Sequence, residues 1–262
     1  MRTELISEPG DPARPDEDFA AIALPASGQG GTLVVLDGVT PPRDGDGCLH
    51  SVSWFCAQLG GALTELSVSH RDLTLPEILS EAIRRAAEAH ATTCDLSHPR
   101  TPQATVVLAR WSETLVEYLV LSDSVLLCEA PDGTVSALLD DRLARVPRAS
   151  LATDAIADAT VRNKEGGFFT AAADPLVATR AVTGELPRTA VRALVALTDG
   201  ATRWTEKFHE GDWGDLFTVV RKEGAAALVA RVRALEAADR EARVHLGRSK
   251  THDDATVVYV EP

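Results

Sequence analysis

The chain has 262 residues, 45% of them hydrophobic, and 26 Lys and Arg against 39 Asp and Glu give a net charge of −13. That length supports one large domain with a sizeable core. The acidic balance argues against a nucleic-acid partner, which selects a basic face, and suits a protein that attracts cations. The opening residues, Met1 to Glu8, lack an apolar leader, and no run reaches the roughly 18 apolar residues of a membrane helix, so the expectation is a cytoplasmic protein with no membrane partner.

In chain order, apolar runs predict strands at 2–7, 18–24 and 31–37, with Ser27-Gly28-Gln29-Gly30 as a turn. The segment Pro41 to Gly47 reads as an exposed loop. Apolar residues at helical spacing then predict helices from His50 to Leu66 and from Leu75 to Cys94, the second opened by a Thr74/Glu77 capping box. Strands return at 104–111, 115–121, 124–129 and 134–138, the last two joined by Pro131-Asp132-Gly133. A mixed insert at about 150–188 includes a short helix near Pro175 to Val182. It is followed by a strand at 191–198, helices over Trp213 to Leu246 broken near Gly224, and a closing strand at 255–260. This order lacks the strict alternation of a doubly wound sheet. It predicts a single α+β domain over 1–262, with two packed antiparallel sheets flanked by helices in a four-layer α-β-β-α sandwich.

The four cysteines, Cys48, Cys56, Cys94 and Cys128, form no C-x-x-C pair and read as buried free thiols in a reducing cytoplasm. A zinc site from Cys48, His50 and Cys56 is the alternative, although its spacing fits no standard zinc pattern.

Carboxylates recur at predicted strand ends. Asp37-Gly38 and Asp199-Gly200 each close an apolar run, Asp253 opens another, Glu17 and Asp18 precede a strand, and Asp123 separates two apolar runs. A single strand-Asp-Gly usually marks a turn. If the last strand runs antiparallel to those ending at Asp37 and Asp199, all three carboxylates share one edge. Hard oxygen donors of this kind select Mg²⁺ or Mn²⁺. Two such ions can generate a hydroxide near neutral pH and clamp a phosphoryl group for in-line attack. A glycine after Asp lets a backbone carbonyl approach a metal closely.

Taken together, these segments resemble the metal-dependent serine/threonine protein phosphatases of type 2C, in particular bacterial members. The matching motifs run in family order: Pro15-Asp16-Glu17-Asp18-Phe19, Val35-Leu36-Asp37-Gly38, Thr101-Pro102-Gln103-Ala104-Thr105-Val106, Leu121-Ser122-Asp123-Ser124, Leu197-Thr198-Asp199-Gly200 and Asp253-Asp254-Ala255-Thr256-Val257. The resemblance implies a phosphomonoesterase that hydrolyses phosphoserine or phosphothreonine by a metal-bridging hydroxide, with two or three Mg²⁺ or Mn²⁺ ions. It implies that Asp37 bridges two ions and the Gly38 carbonyl binds one. Asp199 and Asp253 would complete the second ion's shell, Glu17 and Asp18 would hold metal-bound waters, and Asp123 with Asp199 would serve a third ion. Arg14 would grip phosphate. In departures from the family pattern, Arg14 lies three rather than four residues before the Glu, Asp16 and Asp254 replace Asn, and Ser122 replaces Gly. Val39 stands where many members carry a general-acid His. His50 can supply that proton, or can be a surface histidine at a helix start.

His252 can orient Asp253 or serve packing. The segment Asn163 to Phe169 fits a substrate-facing flap and an ordinary turn equally well. Trp204 and Trp213 read as packing residues. A small phosphate ester remains an alternative substrate to a phosphorylated protein, and a non-catalytic phosphatase-like regulatory module an alternative function. Asp37-Gly38-Val39 also resembles the nucleophile loop of haloacid-dehalogenase phosphatases, but Val39 stands where those need a second Asp.

Overall fold

The structure is a computed structural model that describes residues 1–26, 28–41, 45–242 and 251–262. Ser27, the middle of the predicted loop at 42–44 and the predicted helix end from 243 to 246 lie outside the described residues. Among the described residues, ten strands pair antiparallel in two sheets. One sheet, in the order β1-β10-β9-β6-β7, holds β1 (Thr3–Glu8), β6 (Val125–Glu129), β7 (Val135–Leu138), β9 (Ala193–Leu197) and β10 (Ala255–Val260). The other, in the order β2-β3-β4-β5-β8, holds β2 (Phe19–Ala23), β3 (Gly31–Leu36), β4 (Val106–Trp111), β5 (Leu115–Leu121) and β8 (Val182–Pro187).

Strands β3, β4, β6, β9 and β10 are buried from end to end. Alternate side chains of a strand point to opposite faces, so strands covered on both faces are apolar at most positions, the exceptions being buried polar residues such as Thr32, Arg110, Glu129 and Thr256. Leu33 and Val35 of β3 pack between the sheets with Leu194, Ala196, Val258 and Val260, whereas Val34 and Leu36 turn outward to the helices. Each fully buried side chain of this kind contributes about 1.5–3 kcal/mol of transfer free energy.

The outer layers are helical. Helices α1 (Val52–Ser69) and α2 (Leu75–His90) cover the β3 sheet through Phe55, Leu59, Leu63, Ile78 and Ile83. The Thr74/Glu77 capping box forms at the start of α2, with the Thr74 N–H donating to Glu77 Oε2 at 2.8 Å. Short helix α3 (Arg142–Arg145) precedes the insert, and short helix α4 (Asp154–Thr160) belongs to it. Helices α5 (Asp199–Glu206), α6 (Trp213–Glu223) and α7 (Ala225–Ala242) cover the β9 sheet. The α6–α7 break falls at Gly224, whose φ of +99° favours a residue without a side chain.

Four expectations are corrected. Asp199-Gly200 is not a turn after a strand: α5 begins at Asp199 itself. The insert contains β8, which pairs with β5 at the sheet edge. Gly184 and Pro187 hide this strand from a propensity reading, yet a Cβ at Gly184 would lie 2.3 Å from the Tyr118 hydroxyl. The helix expected near Pro175 to Val182 is a 3₁₀ helix, Pro175–Arg180. Finally, the cysteines are not all free: Cys48 and Cys94, 46 residues apart, form a disulfide, while Cys56 and Cys128 are free and buried. Cys56 lies in the α1 core beside Phe55 and Leu59, away from any shared site with Cys48. Among the described residues no helix is long and apolar enough to cross a membrane.

Candidate metal centre

Strand register brings the acidic residues to one edge of the sandwich. Phe19 pairs with Leu36, so Asp18 and Asp37 are neighbours across β2 and β3. Leu197 of β9 faces both Val257 of β10 and Val125 of β6, so Asp199, Asp253 and Asp123 converge from three chain ends. Asp123 sits where the chain crosses from β5 in one sheet to β6 in the other.

Asp37 is the centre of the group. Its backbone N–H donates to Thr105 Oγ1 at 3.3 Å and its carbonyl accepts from the Thr105 N–H at 2.9 Å, which pins it to the start of β4. Burial pushes its carboxyl well above the usual range, and the charges of Asp199, Asp18, Asp123 and Asp253 push it further the same way. Asp18 is also raised well above its usual value, first by burial and then by the charges of Asp16 and Asp254, against the opposing Thr donors. Thr198 and Thr256 donate to its Oδ2 at 2.9 and 2.7 Å, and its Oδ1 is buried with no hydrogen-bond partner. Burial likewise raises Asp123, whose Oδ1 accepts from Ser122 Oγ at 3.1 Å. Ser122 adopts φ +70°, the left-handed conformation in which glycine costs least.

Three glycines allow the acidic segments to close on one another. A Cβ at Gly38 would lie 2.4 Å from the Glu17 carbonyl oxygen, one at Gly200 would lie 2.0 Å from the Asp254 carbonyl oxygen, and one at Gly10 would lie 2.6 Å from the Asp253 backbone. Close approach, not an unusual turn, is what both Asp-Gly pairs require. Two further acids act as buckles. Asp254 accepts backbone N–H groups from Gly10 and Glu17, both at 2.7 Å. Asp16 accepts from Ser7 Oγ at 2.6 Å and from the Asp18 N–H at 2.9 Å. Asp254, just before β10, thus ties down the N-terminal segment at Gly10 and Glu17 through both its oxygens, while Asp16 ties that segment to β1. Glu17 Oε2 accepts from Thr40 Oγ1 at 2.6 Å.

Cations reach the edge from the helices and the insert. Arg203, one turn after Asp199 on α5, is buried and donates to Asp253 Oδ2 at 2.9 Å and Glu236 Oε1 at 2.6 Å. An inner cleft of about 590 Å³ is lined by Asp37, Gly38, Asp123, Asp199, Asp253 and Arg203, and also by Arg100, Arg162 and Phe168. Arg100 donates to the Thr40 carbonyl at 3.0 Å, and Arg162 donates to Asp158 at 2.8 Å and lies over the Phe168 ring. An outer cleft of about 810 Å³ is lined by Arg14, Glu17, Thr40, Asp253 and Asp254.

The other candidates fall elsewhere. Arg14 sits on the outer cleft with its side chain 75% exposed, 3.7 Å from Asp11. His50 lines neither cleft: its ring stacks on Trp54 at 4.0 Å and its Nε2 lies 3.1 Å from Thr93 Oγ1. His252 Nδ1 meets Glu236 at 2.9 Å, so Arg203 rather than His252 holds Asp253. The Asn163 to Phe169 segment folds back through an Arg162–Phe168 bridge, and Phe168 packs on Val146, Ala157 and Val161. Trp204 is core, and Trp213 packs against the same cluster. The sequence reading missed Arg100, Arg162, Arg203, Thr198 and Thr256. Only the threonines carried a signal, as neighbours of Asp199 and Asp253.

The donor set fits hard divalent cations. It offers carboxylates and a backbone carbonyl, holds at least one buried carboxylate oxygen without a partner, and packs like charges that a cation would neutralise. Asp16, Asp18 and Asp254 also present oxygens within 4.8 Å of one another.

This fold and donor set define a metal-dependent phosphatase. The model of the Protein phosphatase 2C family matches residues 14–233, and the chain belongs to that family. No curated protein matches it by sequence. Among solved structures it resembles the serine/threonine phosphatase Stp1 from Staphylococcus aureus, with TM-score 0.62 and 13% identity over 99% of this chain and 94% of that one. It resembles the Mycobacterium tuberculosis serine/threonine phosphatase PstP/Ppp with TM-score 0.60 and 15% identity over 98% and 97%. The catalytic domain of PstP in complex with 2 manganese ions gives TM-score 0.57 and 14% identity over 98% and 96%. At these identities the likeness establishes the fold.

Proposed function

We propose that this protein hydrolyses phosphoserine or phosphothreonine esters on a protein, with Mn²⁺ or Mg²⁺ held at the Asp37 edge. The observation that carries the reading is the convergence of Asp18, Asp123, Asp199 and Asp253 on Asp37, a charge density that calls for cations. Asp37, the Gly38 carbonyl, Asp123, Asp199 and Asp253 would hold the ions, and Glu17 and Asp18 would accept hydrogen bonds from water around them. When bound, the ions supply neutralisation of the phosphoryl oxygens and an acidified water for in-line attack, without a covalent enzyme intermediate. Arg162, held by Asp158 and lying over Phe168, and Arg14 at the outer cleft would pair with a phosphate. The manganese of the PstP domain supports that choice of ion. A small phosphate ester is the second substrate class, for which the open clefts leave room.

We infer a cytoplasmic setting, supported by the buried free thiols Cys56 and Cys128; there Cys48 and Cys94 would be held as a dithiol. The test is phosphate release from a phosphopeptide panel and from p-nitrophenyl phosphate, with Mn²⁺, with Mg²⁺ and with chelator. Metal-dependent release from phosphopeptides is expected. Release from small esters alone points to the second substrate class, and no release from either contradicts the reading.

A further inference from the structure

We propose that Cys48, His50, His90 and Cys94 form a second metal site, separate from the carboxylate edge, that takes Zn²⁺ once the Cys48–Cys94 disulfide is reduced. The sulfurs of Cys48 and Cys94 and a ring nitrogen of His90 lie within 4.8 Å of one another, and Cys48 Sγ is 3.4 Å from His90 Nδ1. The His50 ring, its centroid 6.2 Å from that of His90, stacks on Trp54 in this disulfide-bonded state and would turn from it to supply the fourth ligand. In sequence the four read Cys-x-His and His-x-x-x-Cys, and the second pair is one helical turn apart at the end of α2. Two thiolates and two imidazoles are a standard tetrahedral zinc set, with ligand distances of about 2.3 Å to sulfur and about 2.0 Å to nitrogen.

The surroundings suit thiolates. The Leu49 N–H donates to Cys94 Sγ at 3.3 Å, and the His50 N–H donates to Cys48 Sγ at 3.4 Å. Thr93 Oγ1 lies 3.8 Å from Cys94 Sγ. A disulfide sulfur is a weak acceptor, whereas a metal-bound thiolate carries charge that such donors stabilise. His90 is 1% exposed and its Nε2 has no hydrogen-bond partner, so nothing but packing and the cysteines holds its ring.

The chemistry balances with a low-molecular-weight thiol as reductant. Two such thiols are oxidised to their own disulfide while the Cys48–Cys94 bond is cleaved to two thiols. Zn²⁺ then displaces the two thiol protons into solvent. Either linkage fastens the loop ending at Leu49 to the turn after α2. That turn leads to Arg100, which holds the Thr40 carbonyl beside the carboxylate edge.

The experiment uses the full chain and Co²⁺ as a spectroscopic stand-in for Zn²⁺. Thiol titration in denaturant, which opens the buried Cys56 and Cys128, should count two free thiols before reduction and four after. The reduced protein should then gain a thiolate-to-cobalt charge-transfer band and tetrahedral d–d bands, both displaced by one equivalent of Zn²⁺. Cys48→Ser and Cys94→Ser should lose the charge-transfer band. Asp37→Asn should keep it, which separates this site from the phosphatase centre. The oxidised wild type, folded and lacking thiolates here, should also lack the band. A reduced chain with four free thiols and no charge-transfer band would overturn the proposal, as would a band that survives in both serine variants.

Discussion

Asp37 and Asp253 line the same cleft in opposite electrostatic settings. Burial raises the pKa of Asp37, and the four carboxylates around it raise it further. Asp253 is held at 2.9 Å by the buried guanidinium of Arg203, which α5 delivers one turn after Asp199. One acid waits for an external cation and the other has a cation built into the protein. A cluster of five acids is therefore tolerable without metal because the protein relieves part of it and leaves the rest unfavourable, which is how binding energy for an ion is kept in reserve.

The largest expected effect separates the two. Asp37→Asn should lower metal-dependent phosphate release by about 10³-fold or more. It should nonetheless stabilise the metal-free protein by about 1 kcal/mol or more, because a repelled buried charge is gone. Asp253→Asn should also lose activity but destabilise the metal-free protein by about 1–3 kcal/mol, since Arg203 loses a charged partner. Denaturant melts of both variants in chelator read the contrast, and equal signs for the two would break it.

The two clefts are compared by their arginines. Arg162→Ala should lower kcat/KM by about 10–100-fold, the worth of a charged hydrogen bond to phosphate. Arg14→Ala, removing an exposed side chain, should cost less than about tenfold. The reverse order, in steady-state kinetics on one phosphopeptide, would move phosphate to the outer cleft.

A smaller effect follows from pH. Asp18, Asp37 and Asp123 all have folded pKa values raised above their unfolded ones. The folded chain then binds more protons than the unfolded one through that window, so stability is highest below the ordinary carboxylate range and falls as pH rises through the raised values. Metal-free protein should melt higher at about pH 5 than at about pH 7.5 as far as these groups decide it, and Mn²⁺ should restore the loss at the higher pH. Thermal melts with and without Mn²⁺ check this. The smallest change is Ser122→Gly, which relieves the φ of +70° and should shift stability by no more than about 1 kcal/mol in thermal melts.

The buried strands were legible because both their faces are covered, so the sequence shows unbroken apolar runs such as Leu33 to Leu36. The acids at their ends were legible for the same reason, since a polar residue closing such a run stands out. Arg100, Arg162 and Arg203 were not, because they reach the cleft from loops and helices whose placement is tertiary. Asp16 and Asp254 looked like added charge near the metals. Their role as acceptors for Ser7, Gly10 and Glu17 depends on β1 lying beside β10. The Cys48–Cys94 pair spans two loops 46 residues apart, a distance over which no local pattern operates. His50, one residue before the cap of α1, looked placed for proton transfer, but its ring turns to Trp54.

The most direct measurement is an anomalous difference map from crystals soaked in Mn²⁺, recorded at the manganese edge. Peaks bounded by Asp37, the Gly38 carbonyl, Asp199 and Asp253 are expected, and they should vanish in Asp37→Asn crystals. Full Mn²⁺-dependent phosphate release from a protein whose map shows no peak beside Asp37 would contradict the assignment of this edge as the metal centre.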